Sequence, residues 1–501
     1  MRVGVVGAGI GGLAVGARLA RAGIDVEILE SQAVVGGKMR SVQGDDGLRW
    51  DTGPTLITLP DEIHVTFADL AFDGGVAPTL LPLDHGTRVH FVDGSVWNLP
   101  APGQSLATWF ENIDSRTARE VGRLMEVASD VYAFARGHVL EREPPGLMEL
   151  GLKTTMGGLA LRHPDLARLN FQRFVEKHLT DPRARELFLH FASYVGILPE
   201  NATASLVSVA HVEFALPVVF PQGGVYEVAR WLEGAARAHG AKLQLDARVL
   251  AARPLGGVDD TKARGWEVTL EGENVPRRYD TLVVGADPHQ ALVDWLDVPT
   301  LRRHWYGDVV EGRLAPGESQ FVVLFDRGHD ESPLAHHEKI FPESWTRSYR
   351  ETHLHRGLPS DPCVYLVWPH ATDPTVSARV LFLSAMAPSL DSGHSWDASE
   401  SAAYAEVVLS IARSRLGRAL PGRVVDTLSP MDLYRRTGSL RGGLYGAAPT
   451  RYRPAAFARP STFSKVPRLH FVGGGVHPGA GVPMVLKGAR RVAANVISQG
   501  G

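Results

Sequence analysis

An α/β fold with two interleaved domains is predicted, and three features of the sequence predict it. A strand, a glycine turn, a helix and a second strand follow one another in the first thirty residues. Between about Ser105 and Phe191 the patterning becomes helical, dominated by Ala, Leu, Arg and Glu. Strand and glycine patterning then returns near Phe220 and again from about Gly438. The 501-residue chain is several times the usual domain length of ~100–150 residues, and neither an internal repeat nor a low-complexity linker divides it serially. The expected division is a nucleotide-binding domain from residues 1–85, 216–300 and 438–501, with an α+β substrate domain from 86–215 and 301–437.

The elements follow in order. Val3, Val5 and Val6 form a short β-branched strand, Gly7 to Gly12 the turn, and Leu13 to Ala22 a helix closed by Gly23. Ile24 to Leu29 alternates as the next strand and ends at Glu30. Arg88 to Val92 and Val96 to Leu99 flank Asp93-Gly94, the signature of a hairpin. Val225 to His239 reads as an amphipathic helix ended by Gly240. Lys242 to Val249, Trp266 to Leu270 and Thr281 to Val284 read as strands, and Ser319 to Met386 is rich in strand formers and turns. Finally Leu469 to Val472 enters Gly473-Gly474-Gly475, and a helix is expected from near Val485.

Composition excludes several classes. Hydrophobic residues at 44% and charged residues at 21% describe a folded chain, not a disordered one. With a net charge of -3 and both signs scattered, the chain lacks the basic face a nucleic acid needs. The single cysteine, Cys363, excludes an internal disulfide or a cysteine-based metal site and fits a reducing cytoplasm. Arg2 to Gly7 runs into the glycine turn without a signal-peptide pattern, and no stretch reaches the ~18 apolar residues of a membrane span. The most apolar candidate, Ala204 to Phe220, is broken by His211, Glu213 and Pro217. A cytoplasmic chain that lies on the inner face of a membrane without crossing it is expected.

The N-terminal unit is a Rossmann-type dinucleotide site. Gly7 permits the tight turn, Gly9 lets backbone approach the pyrophosphate, and Gly12 lets helix and strand pack closely. Amides at the helix start favour the phosphates. Glu30, eighteen residues past Gly12, accepts from the ribose hydroxyls and disfavours a 2′-phosphate. Two features favour FAD over NAD. Gly36-Gly37-Lys38 and Asp51-Thr52-Gly53-Pro54-Thr55 supply a second glycine turn with a cation and a third close approach. At the far end, Gly473 to Met484 precedes a helix whose amides would face the flavin's pyrimidine end.

These segments resemble the amine-oxidase-type FAD fold, and most closely its carotenoid (phytoene-type) desaturase branch. The resemblance continues through Leu83-Asp84 with Val89-His90-Phe91, then Tyr194-Val195-Gly196, Phe220 to Gly224, Gly285 to Pro288, and His477 to Met484, covering nearly the whole chain in order. It implies a non-covalently bound FAD, an apolar carotenoid substrate and peripheral membrane contact. The closing segment looks more like the hydroxycarotenoid 3,4-desaturases, because Met484 stands where a glycine is more usual in phytoene desaturases. The cofactor contacts expected are Gly7, Ala8, Gly9, Gly11, Gly12 and Glu30; Gly36, Gly37, Lys38, Gly53, Pro54 and Thr55; and Val249, Gly474, Gly475, Val482, Pro483 and Met484.

Desaturation leaves the hard step to the cofactor, so catalytic side chains are hard to name. His477 is the candidate for a polar contact near the ring, against a structural hydrogen bond fixing the Pro478-Gly479 turn. Asp287 reads as a helix cap, His336-His337-Glu338 as a solvated polar loop without metal, and Asn201-Ala202-Thr203 as an unused glycosylation match. Pro144 to Lys153 with Met156 to Leu161 would serve as an apolar lip or as ordinary packing. A phytoene-type desaturase, a polyene cis–trans isomerase, an amine oxidase and a flavin-dependent escort protein remain as alternatives.

Overall fold

The valines of Arg2–Val6 place this strand at the centre of a five-stranded parallel sheet, where it is covered on both faces. The spatial order is Lys242–Gln244, Asp25–Leu29, Arg2–Val6, Thr281–Val284 and Leu469–Phe471. Val3 pairs with Val26 on one side and Thr281 on the other, while Val284 pairs with Phe471, so middle and C-terminal segments complete a sheet begun at the N-terminus. Helices Ile10–Arg21, Tyr226–Ala238 and Val482–Gly500 pack against it in one apolar core. This computed structural model describes residues 1–44, 46–84, 86–143, 155–256, 260–302, 317–330, 332–448 and 459–500.

A seven-stranded sheet forms the opposite wall, in the order Arg423–Leu428, Ser319–Asp326, Val380–Ala387, Val364–Val367, His337–Ile340, Arg88–His90 and Val96–Asn98. Alternation sends Phe321, Ile340, Val364 and Leu383 into a core shared with helix Ala398–Leu416. The intervening residues Lys339, Tyr365 and Ser384 are neighbours across three strands and face a central cavity. Helices Ser115–Ala135, Phe171–His178, Pro182–Leu189 and Ser208–Ala215 close the structure with their own core. Among the described residues, no helix is long and apolar enough to cross a membrane.

The hairpin at Asp93-Gly94 forms as expected, with Val89 opposite Trp97. Three expectations need correction. The strand expected over Lys242 to Val249 breaks in two at Asp246, whose φ of 52° turns the chain out of the parallel sheet, and Val249–Leu255 joins a separate antiparallel sheet. The last helix starts at Val482, not Val485, because Pro483 occupies the first turn, where a missing amide costs nothing. His336, His337 and Glu338 are buried and do not form a solvated loop: Glu338 sits in a strand, bonded to His90 at 2.7 Å and Arg88 at 3.1 Å. The Pro144 to Lys153 segment lies outside the described residues.

Candidate functional site

The turn after the first strand makes one wall of the cavity. Gly7 adopts φ 101°, a left-handed conformation that only glycine adopts without strain. Gly12 packs so closely that an added Cβ would fall on the Gly7 carbonyl. Gly9 differs from both. Its φ is −66° and an added Cβ meets no protein atom within 4 Å, so packing within the chain does not demand glycine there. The space beside it belongs to the cavity, as a cradle for a pyrophosphate requires. No side chain caps the helix that follows, which leaves its first amides for a ligand.

Glu30 lies at the end of the adjoining strand. Its Oε2 accepts from the Ala8 amide at 2.7 Å and its Oε1 from the Gln32 amide at 3.0 Å. Burial pushes this carboxyl up, against the opposing pull of the two amides. Gly7, Gly9, Gly11 and Glu30 line the cavity, whereas Ala8 and Gly12 do not. Both were expected as contacts; Ala8 instead anchors Glu30, and Gly12 joins helix to strand.

Gly36, Gly37 and Lys38 come beside the first turn, with the Gly36 amide donating to Ala8 O at 2.8 Å. Gly53, Pro54 and Thr55 line the same side. Lys38 Nζ donates to Leu444 O at 2.5 Å, and burial lowers its pKa to about 8, partly countered by Asp287. Arg459, which the sequence reading overlooked, stands in the same electrostatic neighbourhood, and burial lowers its pKa to about 10. Asp287 caps helix Pro288–Asp294 as expected, accepting from His289 and Gln290 amides, and also faces these two cations.

From the C-terminus, Gly474, Gly475, Val482, Pro483 and Met484 line the cavity, so the last helix begins at its wall; Val249 lines it as well. His477 does not. Its Nε2 lies 2.8 Å from Arg142 O and 3.0 Å from Val139 O, which ties this segment to the end of the long helix. The role of a polar contact near the ring therefore passes from His477.

The facing wall was largely missed from sequence. Tyr365 OH lies 3.0 Å from Thr55 Oγ1, linking the seven-stranded sheet to the glycine-rich side. Next to Tyr365 in register, Lys339 contacts His190, Tyr194 and Glu213, all on helical segments. The sequence signals were Glu213 interrupting an apolar run and Tyr194 within a segment of the family resemblance. The cavity measures about 1460 Å³, above the ~300–1,000 Å³ of most ligand pockets, and it continues to Leu159, Leu166, Leu206 and Val209.

A glycine cradle, an acidic strand end and a helix start beside a long cavity define a dinucleotide-dependent oxidoreductase. The chain belongs to the flavin-containing amine oxidoreductase family, whose model matches residues 10–497, and it is an FAD enzyme with the amine-oxidase-like flavoprotein fold. It is 25% identical over 510 residues to a 4,4'-diapolycopene oxygenase from a Methylomonas species, covering 99% of this chain and 98% of that one. It is 24% identical over 500 residues to a 4,4'-diaponeurosporene oxygenase of Staphylococcus aureus, covering 98% and 96%. Among solved structures, a putrescine oxidase variant superposes with a TM-score of 0.64 at 17% identity, covering 99% of both chains.

Proposed function

We propose that this chain oxidises an acyclic carotenoid by introducing a C=C bond, and more narrowly that it desaturates the 3,4 position of a 1-hydroxylated carotenoid. The observation that carries the reading is the single cavity joining the glycine cradle to an apolar tunnel of helical residues. Its volume suits a dinucleotide together with a second long molecule, and the aliphatic wall suits a polyene. Both carotenoid-named relatives span nearly the whole chain, which supports the substrate class.

In this reading Glu30 holds the ribose, Gly9 and Gly11 approach the pyrophosphate, Val249 borders the adenosine end, and the start of helix Val482–Gly500 faces the pyrimidine end. Bound FAD supplies the hydride acceptor. Lys38 and Arg459 add buried positive charge to the cavity lining, which would suit an acceptor that gains negative charge on reduction. The apolar helices hold the chain extended and exclude water. Because the substrate dissolves in bilayers, the protein takes it up while lying on a membrane. Leu161, 85% exposed beside the lining residues Leu159 and Ala160, offers apolar contact there.

The names of the two relatives favour a second reading, oxygen insertion into the same substrate. Anaerobic incubation of the FAD-loaded protein with a 1-hydroxylated acyclic carotenoid separates the two. Desaturation yields a product lighter by two hydrogens with absorption at longer wavelength. A product that appears only with oxygen and carries an added oxygen atom would replace the first reading with the second, and a product of unchanged mass would make the enzyme an isomerase.

A further inference from the structure

Among the described residues, the wall opposite the cradle carries a buried ionisable cluster whose hydrogen bonds can be followed atom by atom. The Lys339 ammonium has three donors and three acceptors: Glu213 Oε1 at 2.7 Å, His190 Nε2 at 2.9 Å and Tyr194 OH at 3.1 Å. Tyr194 donates its own proton to Glu213 Oε2 at 2.5 Å, and His190 Nδ1 is engaged by Leu187 O. No donor remains for a ligand. Acceptor capacity does remain, because a carboxylate offers about four lone-pair sites and these two bonds use two of them.

Glu213 lines the cavity together with His190, Tyr194 and Lys339, and it is the anionic acceptor among them. Its side chain is 18% exposed, against 7% for Lys339 and 3% for His190. Burial alone would raise its pKa, but the Lys339 charge and the hydrogen bonds from Lys339 and Tyr194 hold the carboxyl below its ordinary value, so it stays an acceptor. A cationic ligand is a poor match, since it would share Glu213 with an ammonium already 2.7 Å away. A neutral donor suits the site, and a hydroxyl is the neutral donor that an otherwise apolar chain would bring.

We infer that Glu213 receives a hydroxyl at the end of the substrate, with Lys339 and Tyr194 positioning its carboxylate, and thereby selects hydroxylated over unhydroxylated chains. This rests on the carotenoid reading above and assigns it a specificity residue. The geometry agrees with the bond proposed to react. Lys339 pairs with Tyr365 on the next strand, about 4.8 Å away, and Tyr365 reaches Thr55 on the cofactor side. In a 1-hydroxylated chain the hydroxyl carbon and C3 are two single bonds apart, about 2.5 Å. A hydroxyl held at Glu213 would therefore keep C3 and C4 close to this wall, whose strand neighbour Tyr365 reaches the glycine-rich side of the cavity.

The test is kcat/KM of the FAD-loaded full chain on a 1-hydroxylated carotenoid and on the same carotenoid without the hydroxyl. The wild type is expected to prefer the hydroxylated chain by ~100-fold or more, because the unhydroxylated one desolvates the remaining acceptor sites of Glu213 without supplying a donor. E213Q and E213L are expected to bring that ratio toward one, chiefly through KM for the hydroxylated substrate. Equal turnover of both chains by the wild type would overturn the inference and leave the carotenoid reading standing. Turnover of neither would overturn the carotenoid reading itself, and the inference with it. Variants that lose both activities by one common factor would show a structural role only. If a variant loses its flavin, the wild-type ratio still decides. Faster flavin reduction by a long-chain primary amine than by either carotenoid would overturn the neutral-donor assignment.

Discussion

At the cradle end of the cavity the chain offers mostly backbone: open space beside Gly9, uncapped helix amides, and turns at Gly36-Gly37 and Gly53. At the opposite wall it offers side chains, with Lys339 from a strand meeting His190, Tyr194 and Glu213 from helices up to 149 residues away. The cradle recognises through its backbone, with the buried charges Glu30, Lys38, Asp287 and Arg459 set around it. The facing wall is an ion pair in an apolar surround, stable only while each partner is present. Backbone recognition survives the loss of one side chain; the side-chain wall does not.

Breaking the ion pair should have the largest effect. Lys339→Met leaves Glu213 buried and uncompensated and should cost about 3–5 kcal/mol, read as the urea midpoint. The double variant Lys339→Met/Glu213→Leu should recover most of that loss. A double variant as unstable as Lys339→Met would show that the two charges are not coupled.

The cradle should fail differently. Gly9→Val adds a side chain where the protein has room, so the chain should fold and emerge from gel filtration without FAD absorbance. Gly12→Val should unfold the domain instead, because its Cβ meets backbone. Full flavin occupancy in Gly9→Val would contradict the placement of the pyrophosphate. Glu30→Ala should weaken FAD affinity by about 1–3 kcal/mol in an equilibrium titration of flavin fluorescence, since it removes the ribose acceptor and leaves the Ala8 amide without a partner.

Acid should probe the same contrast. Burial, and then Lys339, lower the pKa of His190 to about 3, so between about 6.5 and 3 the unfolded chain binds the proton that the folded chain refuses. The stability this group contributes is present above pH 6.5 and is lost as pH falls through that window. His190→Gln, which keeps an acceptor for Lys339, should flatten part of the decline in urea midpoint between pH 6.5 and 4. The smallest effect is expected from Tyr365→Phe, about 1 kcal/mol for the lost Thr55 bond, measured as a shift in melting temperature.

Legibility differed between the walls for the same reason. The glycine spacing, Glu30 and the Gly473 to Met484 segment are local signals, because turn conformation and strand ends are set by neighbouring residues. Even there, Ala8 and Gly12 act behind the wall, which spacing alone does not separate from contact. The His336-His337-Glu338 run looked solvated by polarity, yet Arg88 and His90 hydrogen-bond Glu338 inside a sheet. Those partners lie about 250 residues away in the chain, beyond any local pattern.

The sequence by itself therefore determined the dinucleotide unit, the helix and strand periodicities around it, and the joining of both chain ends at one site. These depend on φ preference, side-chain size and alternation, which act over a few residues. Only the tertiary structure decided that His477 binds the Val139 and Arg142 carbonyls, that Arg459 joins Lys38 and Asp287, and that Glu213 faces the cavity from within an ion pair. A buried charge is placed by the partners that neutralise it, and the fold, not the local sequence, brings those partners into contact.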